Sequence, residues 1–532
     1  MTLKDRLTDA VRSALAIDQM PEVQWQVPKR TDLGDLATNI AMVLAKTLGK
    51  NPREIAERIV EQVDWESLGV ERVEIAGPGF LNLFLGSRHF HDVVRSILRE
   101  GPDYGKSDSG GGRSVLVEYV SANPTGPLNV VSARAAAIGD SIVRLLRKAG
   151  WKADAEFYVN DAGRQVRRFG ESIIARVRGV DVPEDGYHGE DVIARAHQLF
   201  PDGTIPDDAD PEEIGRRGAE LNVADQRKVL ETYGVSFDRW YYESELHGSG
   251  APMKTLSELK KRGAVAEREG ALWFQGTSYG DTEDRVIVTS EGRPTYFLPD
   301  IAYHLSKAQR GYSRAVDLLG PDHHDYVGRM QAALRALGYD GFLEVLIVQQ
   351  VHLIESGEKV KMSKRAGKLV TLEELVEEVG KDVARYFFLQ RRTSSPLDFD
   401  LDLAREQSDR NPVFYVQYAH TRIAGILRQD GCPAPAVEAD LSPLNQETEL
   451  DLIRHLEQFP EVIARAAESY EPQKMVGYLA ELATRFHKFY TSSRVVGVQD
   501  DVSLARASLA EAARIVLAEG LNLLGVSAPE RM

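Results

Sequence analysis

Residues 121–140 read SANPTGPLNVVSARAAAIGD. Just before them, SVLVEYV from Ser114 is a continuous apolar run of the buried-strand type. Just after them, Ala135, Ile138, Ile142, Leu145 and Ala149 recur at helical spacing, and Gly150 suits the stop. Pro and Gly fill the turn, and Ser132 suits the N-cap of the helix. A strand, a Pro/Gly turn and a helix N-terminus together present backbone N–H groups to a phosphate. ADAEFYVND from Ala153 is the next strand, which completes a βαβ unit. A second unit follows: strand AVDLLG from Ala315, a helix from about His324 to Leu337 stopped by Gly338, and strand LEVLIVQQV from Leu343. Two such units predict a doubly wound parallel α/β sheet. The mostly helical, acidic stretch 165–290 then reads as an insertion in that sheet.

Residues 1–105 read as a separate small α/β module. Asn51 caps a helix there, with Pro52 at its first position and Glu54 placed for a capping box. VERVEIAGPGFLNLFLG from Val70 reads as two short strands around a Gly77-Pro78-Gly79 turn. The Gly/Ser-rich segment from Gly101 to Arg113 marks the boundary. Beyond about Pro396 no strand pattern remains, and four long amphipathic segments predict an all-α bundle over 396–532. The doubly wound α/β part is expected at 106–395.

The totals exclude several classes. With 532 residues, 43% hydrophobic and 27% charged, the chain can bury large cores. No apolar run reaches the ~18 residues of a membrane span. MTLKDRLTDA at the start is charged and lacks an apolar signal core, so a cytoplasmic setting is expected. The single cysteine, Cys432, excludes an internal disulfide framework and a Cys-based zinc site. A net charge of −16 argues against a general nucleic-acid coat but not against one nucleic acid held on local basic patches.

GEKVKMSKRAGK from Gly357 puts Lys359, Lys361, Lys364, Arg365 and Lys368 in one Gly-bounded segment directly after a strand. Thr371 follows as a helix cap, with Glu374 as its box partner. A cationic segment at the carboxyl edge of a parallel sheet is where a triphosphate would bind. KMSKR in that place, with a Pro/Gly turn after the first strand, resembles a class I aminoacyl-tRNA synthetase. EYVSANPTGPL, YVNDAGRQ, DRVIVTSEGRPTYFLPDIAYHLSKAQRGY, GPDHHDYVGRMQAALRALG, DVARYFF, NPVFYVQYAHTRI and GLNLLGVSAPERM narrow the likeness to the bacterial arginyl-tRNA synthetase family. The likeness spans the chain.

The resemblance implies ATP, carried with Mg²⁺ as a substrate complex, L-arginine and tRNA(Arg) as partners. It implies no protein-ligated metal, no membrane and a monomer. It places ATP on Pro124, Thr125, Gly126, Pro127, Asn129, Ser132, Met362, Ser363 and Lys364, with Lys361 and Lys364 clamping the pyrophosphate. It places arginine on Glu118, Asn123, Glu243, Tyr296, Asp300 and His323, with Asp322 beside them. A planar guanidinium suits such a set, since it wants carboxylates in bidentate geometry and an aromatic face. YVNDAGRQ adds Asn160, Asp161, Arg164 and Gln165 near the site, as ligands or as braces. In the bundle, aromatics interleave with cations, and Tyr418, Phe489 or Tyr490 and Met532 are the candidates for tRNA contact.

One departure stands out. The class motif His-x-Gly-His falls on Asn129, Val130, Val131 and Ser132, so both histidines are replaced by neutral donors. A neutral donor stabilises developing charge less than a charged one, by roughly 1 kcal/mol each, or about fivefold in rate. The expectation is a working arginine-activating enzyme with substituted donors. The alternatives are a degenerate tRNA-binding relative, and a tRNA-independent adenylate-forming ligase on the same fold.

Overall fold

Five parallel strands form the sheet on which the rest of the chain is hung. The computed structural model describes residues 3–18, 20–28, 30–360 and 371–532. Lys361, Met362, Ser363, Lys364, Arg365 and Lys368 therefore lie outside the described residues.

The first part pairs β1 (Leu36–Thr38), β2 (Val70–Ala76) and β3 (Phe80–Leu85) antiparallel in the order β1-β3-β2. Asn51 caps the Pro52–Gln62 helix as expected, its side chain accepting from Arg53 N at 2.9 Å. Glu54 forms no capping box, so that expectation is corrected. The Gly/Ser-rich segment after Gly101 is packed rather than free. Gly110 N donates to Ala149 O at 2.7 Å, and Tyr104 stacks on Phe459 with ring centroids 6.2 Å apart.

β4 (Ser114–Glu118), β5 (Lys152–Val159), β6 (Arg239–Tyr242), β10 (Arg314–Leu319) and β11 (Leu343–Ile347) form the parallel sheet, in the order β11-β10-β4-β5-β6. Both βαβ units are present. The crossover helices are Val130–Lys148, whose expected apolar face is buried, and His324–Ala336, with Gly338 at φ 87° after it. The stretch read as an insertion is not wholly outside the sheet: β6 lies within it and forms the sheet edge. The remainder holds the Arg164–Arg178, Glu190–Leu199 and Pro211–Thr232 helices, then a small antiparallel sheet of β7 (Val265–Arg268), β8 (Ala271–Phe274) and β9 (Arg285–Val288).

The run LEVLIVQQV breaks after Ile347. Its end begins β12 (Val351–Glu355), which lies in a third sheet with β13 (Glu358–Lys359) and β14 (Leu397–Asp400). β14 corrects the expectation that no strand follows Pro396; it pairs parallel with β12. After it come the bundle helices Pro412–Leu427, Glu447–Glu457, Phe459–Glu468, Gln473–Ser492 and Asp500–Leu523. No helix of the described residues is long and apolar enough to cross a membrane.

Candidate active site

β4 and β10 are neighbours, and the chain leaves them toward opposite sides of the sheet. A crevice opens beyond the carboxyl ends of strands at such a switch point. The loop after β4 enters this crevice through a tight turn. Ser121 N donates to Tyr119 O at 3.0 Å across Val120, whose φ is 70°, and Ser121 itself has φ 38°. This is a γ-turn of the rare positive-φ kind, centred on a β-branched residue. Such strain persists only when neighbours hold it, and it clusters at ligand sites. The holders are visible: Ser121 Oγ donates to Glu118 Oε1 at 2.8 Å and accepts from Tyr158 N at 3.1 Å.

Pro124, Thr125, Gly126 and Pro127 carry the chain on to the Val130–Lys148 helix. The cap of that helix is Asn129, not Ser132 as the sequence suggested. Asn129 Oδ1 accepts from Val131 N and Ser132 N, both at 3.0 Å. Ser132 sits at the third helical position and its hydroxyl donates to the same oxygen at 3.3 Å. Both residues are good caps by type, and the one further upstream captures the first free N–H groups. Asn129 Nδ2 has no partner among the described residues. Asn129 also forms an isolated antiparallel bridge with Thr371, and Leu372 N donates to Leu128 O at 2.9 Å. The chain therefore leaves the lysine-rich segment directly beside the phosphate-type helix cap. The expected Thr371–Glu374 capping box is formed there.

Two residues that the sequence gave no signal for tie this loop down. Asn222 and Gln226, one turn apart on the Pro211–Thr232 helix, are 3% and 2% exposed. Asn222 Nδ2 donates to Pro124 O at 2.9 Å; Gln226 Nε2 donates to Asn123 O at 3.2 Å and Gly126 O at 2.9 Å.

On the other side of the crevice lie Glu243, Asp300 and Tyr296. Glu243 follows β6 and opens a short helix, where Asp161 accepts from Ser244 N at 2.9 Å and Ser244 Oγ at 2.6 Å. Asp161 is thus a brace. Asn160 is one too: its amide nitrogen donates to Glu243 Oε2 at 2.8 Å and to Ala162 O at 3.1 Å. Asp300 lies in the first turn of the Phe297–Gln309 helix, one turn after Tyr296, which is 73% exposed and so no core aromatic. The Asp300 carboxylate accepts no hydrogen bond from any described residue. Burial pushes its carboxyl up to about 6; nearby His304 opposes the shift and Glu243 adds to it. Burial also raises Glu243, against a hydrogen bond from His247 at 3.2 Å. Two half-buried acids that repel each other form a site that a cation relieves. His323 and Asp322 are exposed at the start of the next crossover helix, and Asn123 is exposed in the loop. Arg164 and Gln165 open the Arg164–Arg178 helix and are exposed.

Glu118 is set deeper. It belongs to a row of charges at one level of the sheet: Asp317 of β10 is in register with Glu118 of β4, Glu118 with Glu156 of β5, and Glu156 with Arg239 of β6. Three neighbouring buried acids would repel strongly without cations. One helix turn-set supplies them. Lys307 Nζ lies 2.5 Å from Glu118 Oε2 and 2.7 Å from Asp317 Oδ1. His304 Nε2 lies 2.7 Å from Asp317 Oδ2, and Arg310 grips both oxygens of Glu156. The Tyr303 hydroxyl lies 2.8 Å from both Glu118 and Glu156 and donates to one at a time. Burial works against the charge on Asp317, but Lys307 and His304 outweigh it and hold its carboxyl below the ordinary value. Glu118, His304 and Asp317 bring metal-ligand atoms together, and the Lys307 ammonium stands where a metal cation would. Both oxygens of Glu118 are engaged inside the protein, which makes it a support for the loop.

The comparisons with known proteins meet this geometry over the whole chain. Three family models match: the arginyl tRNA synthetase N terminal domain over residues 1–85, the class I (R) tRNA synthetase catalytic domain over 216–393, and the DALR anticodon binding domain over 416–532. An arginine–tRNA ligase of Symbiobacterium thermophilum is 48% identical across 100% of this chain and 98% of its own length. One of Desulforamulus reducens is 45% identical across 100% of this chain and 99% of its own length. The chain belongs to the arginyl-tRNA synthetase family. The crystal structure of a Campylobacter jejuni arginyl-tRNA synthetase superposes with a TM-score of 0.78 at 33% identity, covering 84% of this chain and all of that one. The Thermus thermophilus arginyl-tRNA synthetase shares the fold over 100% of both chains, with a TM-score of 0.79 at 22% identity.

Within the DALR-matched region of this family member, the tRNA candidates separate. Tyr418 is 46% exposed and Met532 is 56% exposed. Tyr490 is half-buried, with the Arg422 guanidinium 4.2 Å from its ring centroid and 5.6 Å from that of Tyr418. Phe489 is fully buried in the bundle, so it offers no face for a base to stack on and drops out. Periodicity along the Gln473–Ser492 helix distinguishes the two neighbours only once the packing partner is known.

Proposed function

We propose that this chain activates L-arginine with ATP and transfers it to tRNA(Arg). The single observation that carries the choice of amino acid is the Glu243–Asp300 pair, two raised carboxyls beside an exposed Tyr296 with no Lys or Arg ion-paired to either among the described residues. A guanidinium supplies the missing charge and fits two carboxylates in plane. The carboxylate of arginine attacks the α-phosphorus of ATP in line. The Pα–O bond to the β-phosphate breaks, and pyrophosphate leaves with Mg²⁺, which enters with ATP as part of the substrate. A ribose hydroxyl of the terminal tRNA adenosine then attacks the arginyl carbonyl, gives its proton to solvent and releases AMP.

In this reading no protein nucleophile is needed, and the chain contributes positioning and charge stabilisation. Asn129 Nδ2, without a partner among the described residues, is the donor at the helix cap. Ser132 must turn its hydroxyl away from Asn129 Oδ1 before it can donate to a phosphate. Lys361 and Lys364, with Met362 and Ser363, belong to the pyrophosphate side by family likeness. Asn123 and His323 line the amino-acid side in the same way, and Tyr418, Tyr490 and Met532 the tRNA side. A cytoplasmic monomer is the setting we propose.

Amino-acid-dependent exchange of pyrophosphate into ATP, run against all twenty amino acids with and without tRNA, tests the reading. Exchange with arginine alone among the twenty, dependent on tRNA(Arg), supports it. Exchange with another acid and no tRNA requirement would instead indicate a ligase of different substrate, and tRNA binding without any exchange a degenerate relative.

A further inference from the structure

The loop that follows β4 has its carbonyls turned in one direction. Asn222 takes the carbonyl of Pro124, and Gln226 takes those of Asn123 and Gly126. In a trans peptide the N–H of the next residue points opposite to the carbonyl. The described residues contain no cis peptide. The peptides after Asn123 and Gly126 lead into Pro124 and Pro127, which have no N–H to expose. The peptide after Pro124 leads into Thr125, so the Thr125 N–H is turned away from the insertion helix. It has no partner among the described residues.

The amides that do this are themselves oriented. Arg195 of the Glu190–Leu199 helix donates through Nε to Asn222 Oδ1 at 2.6 Å and pairs with Asp225. Asn222 Nδ2 is thereby left facing the loop. Gln226 is kept at a cost: its Oε1 is buried with no hydrogen-bond partner. A buried orphan acceptor destabilises a fold, and a residue chosen for stability alone would not carry one.

We propose that Asn222 and Gln226 are positioning residues for nucleotide activation, holding the Thr125 N–H as a fixed donor to a phosphate of ATP. They lie outside the crevice and act through the loop backbone. The helical insertion thus contributes to the ATP half of the site rather than only decorating the sheet. The inference rests on the proposed ATP-dependent activation of arginine.

The test uses the full chain with Gln226→Met, which removes both donors without adding charge, and Asn222→Asp, which keeps the bond from Arg195 but cannot donate to Pro124. Titration with a non-hydrolysable ATP analogue, titration with arginine, pyrophosphate exchange and thermal unfolding are measured for each. The expected result is nucleotide affinity or exchange kcat lowered about tenfold in each variant, as for one or two lost hydrogen bonds. Arginine affinity stays within about twofold, and Gln226→Met melts close to the parent, because losing the orphan oxygen offsets the two carbonyls left without a donor. Unchanged nucleotide binding and unchanged exchange in both variants would overturn the proposal. So would a loss that weakens arginine equally and tracks a lower melting temperature, since that is a merely structural role. If the parent chain shows no exchange with arginine, the functional reading fails, and the nucleotide titration still decides this inference separately.

Discussion

Asp300 carries a charge that depends on what sits beside it. In the free protein its carboxyl is raised to about 6 by burial, with Glu243 adding to the shift. A bound guanidinium favours the ionised form, so binding expels a proton wherever Asp300 is still protonated. With Asp300 in the arginine pocket as proposed, arginine affinity should be full above pH ~6 and fall as pH drops below it, by up to about tenfold per pH unit. Calorimetric titration of arginine at pH 5.5 in two buffers of different ionisation enthalpy should show proton release, and Asp300→Asn should bind weakly with no release. Asn129 gives a second residue-level prediction. Asn129→Ser keeps a good cap, so stability changes by less than about 0.5 kcal/mol, but it lacks the amide donor. Exchange should fall about tenfold while the melting temperature holds; a full-rate Asn129→Ser enzyme removes Nδ2 from the mechanism.

Among elements, the Val130–Lys148 helix and β4 approach so closely that only glycine fits between them. A Cβ on Gly139 would penetrate the ring of Tyr119, which is buried at the end of the strand. Gly139→Ala gains helix propensity of about 1 kcal/mol but forces the two apart at a cost of roughly 1–3 kcal/mol; a net loss of up to about 2 kcal/mol is expected in denaturant unfolding. In the bundle, His455 is stacked on Tyr478 with its Nε2 3.0 Å from Tyr478 O. Burial is the main cause that lowers its pKa to about 4, against an ordinary 6.5. A depressed histidine contributes stability that is full above pH 6.5 and lost as pH falls toward 4, up to about 3 kcal/mol. Replacing His455 with Gln should flatten the melting temperature between pH 6.5 and 4.5.

Helices were legible at this scale because their apolar period runs over many residues, as in Val130–Lys148. β6 and β14 were not, since RWYY and LDFD are four residues long and their pairing partners lie far away in the chain. The loop chemistry after β4 was readable from Pro, Gly and Asn types. The amides that hold it were not, because Asn222 and Gln226 look like any polar pair on a helix. Nor was the level row of Asp317, Glu118 and Glu156, which exists only once strand register is fixed.

Over the whole molecule, one buried arginine joins the parts. Arg385 Nη2 pairs with Asp140 of the Val130–Lys148 helix at 2.5 Å. Its Nε donates to Leu524 O at 3.0 Å after the last bundle helix, and Nη1 to Tyr233 O at 3.4 Å after the insertion helix. The first module is fastened to the bundle by partly buried ion pairs and a shared core: Asp35 with Arg454 at 2.6 Å, His89 with Glu457 at 2.7 Å and Lys4 with Glu461 at 2.5 Å, beside the Tyr104–Phe459 stack. Arg385→Met leaves Asp140 buried with Arg144 as its one ion-pair partner among the described residues, and a loss of about 3–5 kcal/mol is expected by denaturant unfolding. Adding Asp140→Leu should recover much of it. Amide exchange in Asp500–Leu523 should quicken in the single variant and not in the double.

The helix that brings Asp300 to the pocket also brings Tyr303, His304 and Lys307, with Arg310 at its end, onto acids of three strands. On the proposed assignment of Asp300 to the guanidinium, amino-acid preference and sheet integrity are written on the same thirteen-residue element. Recoding the enzyme for a different side chain by exchanging residues singly would strand charge inside the protein. The workable unit of transplantation is that helix together with the strand ends it neutralises.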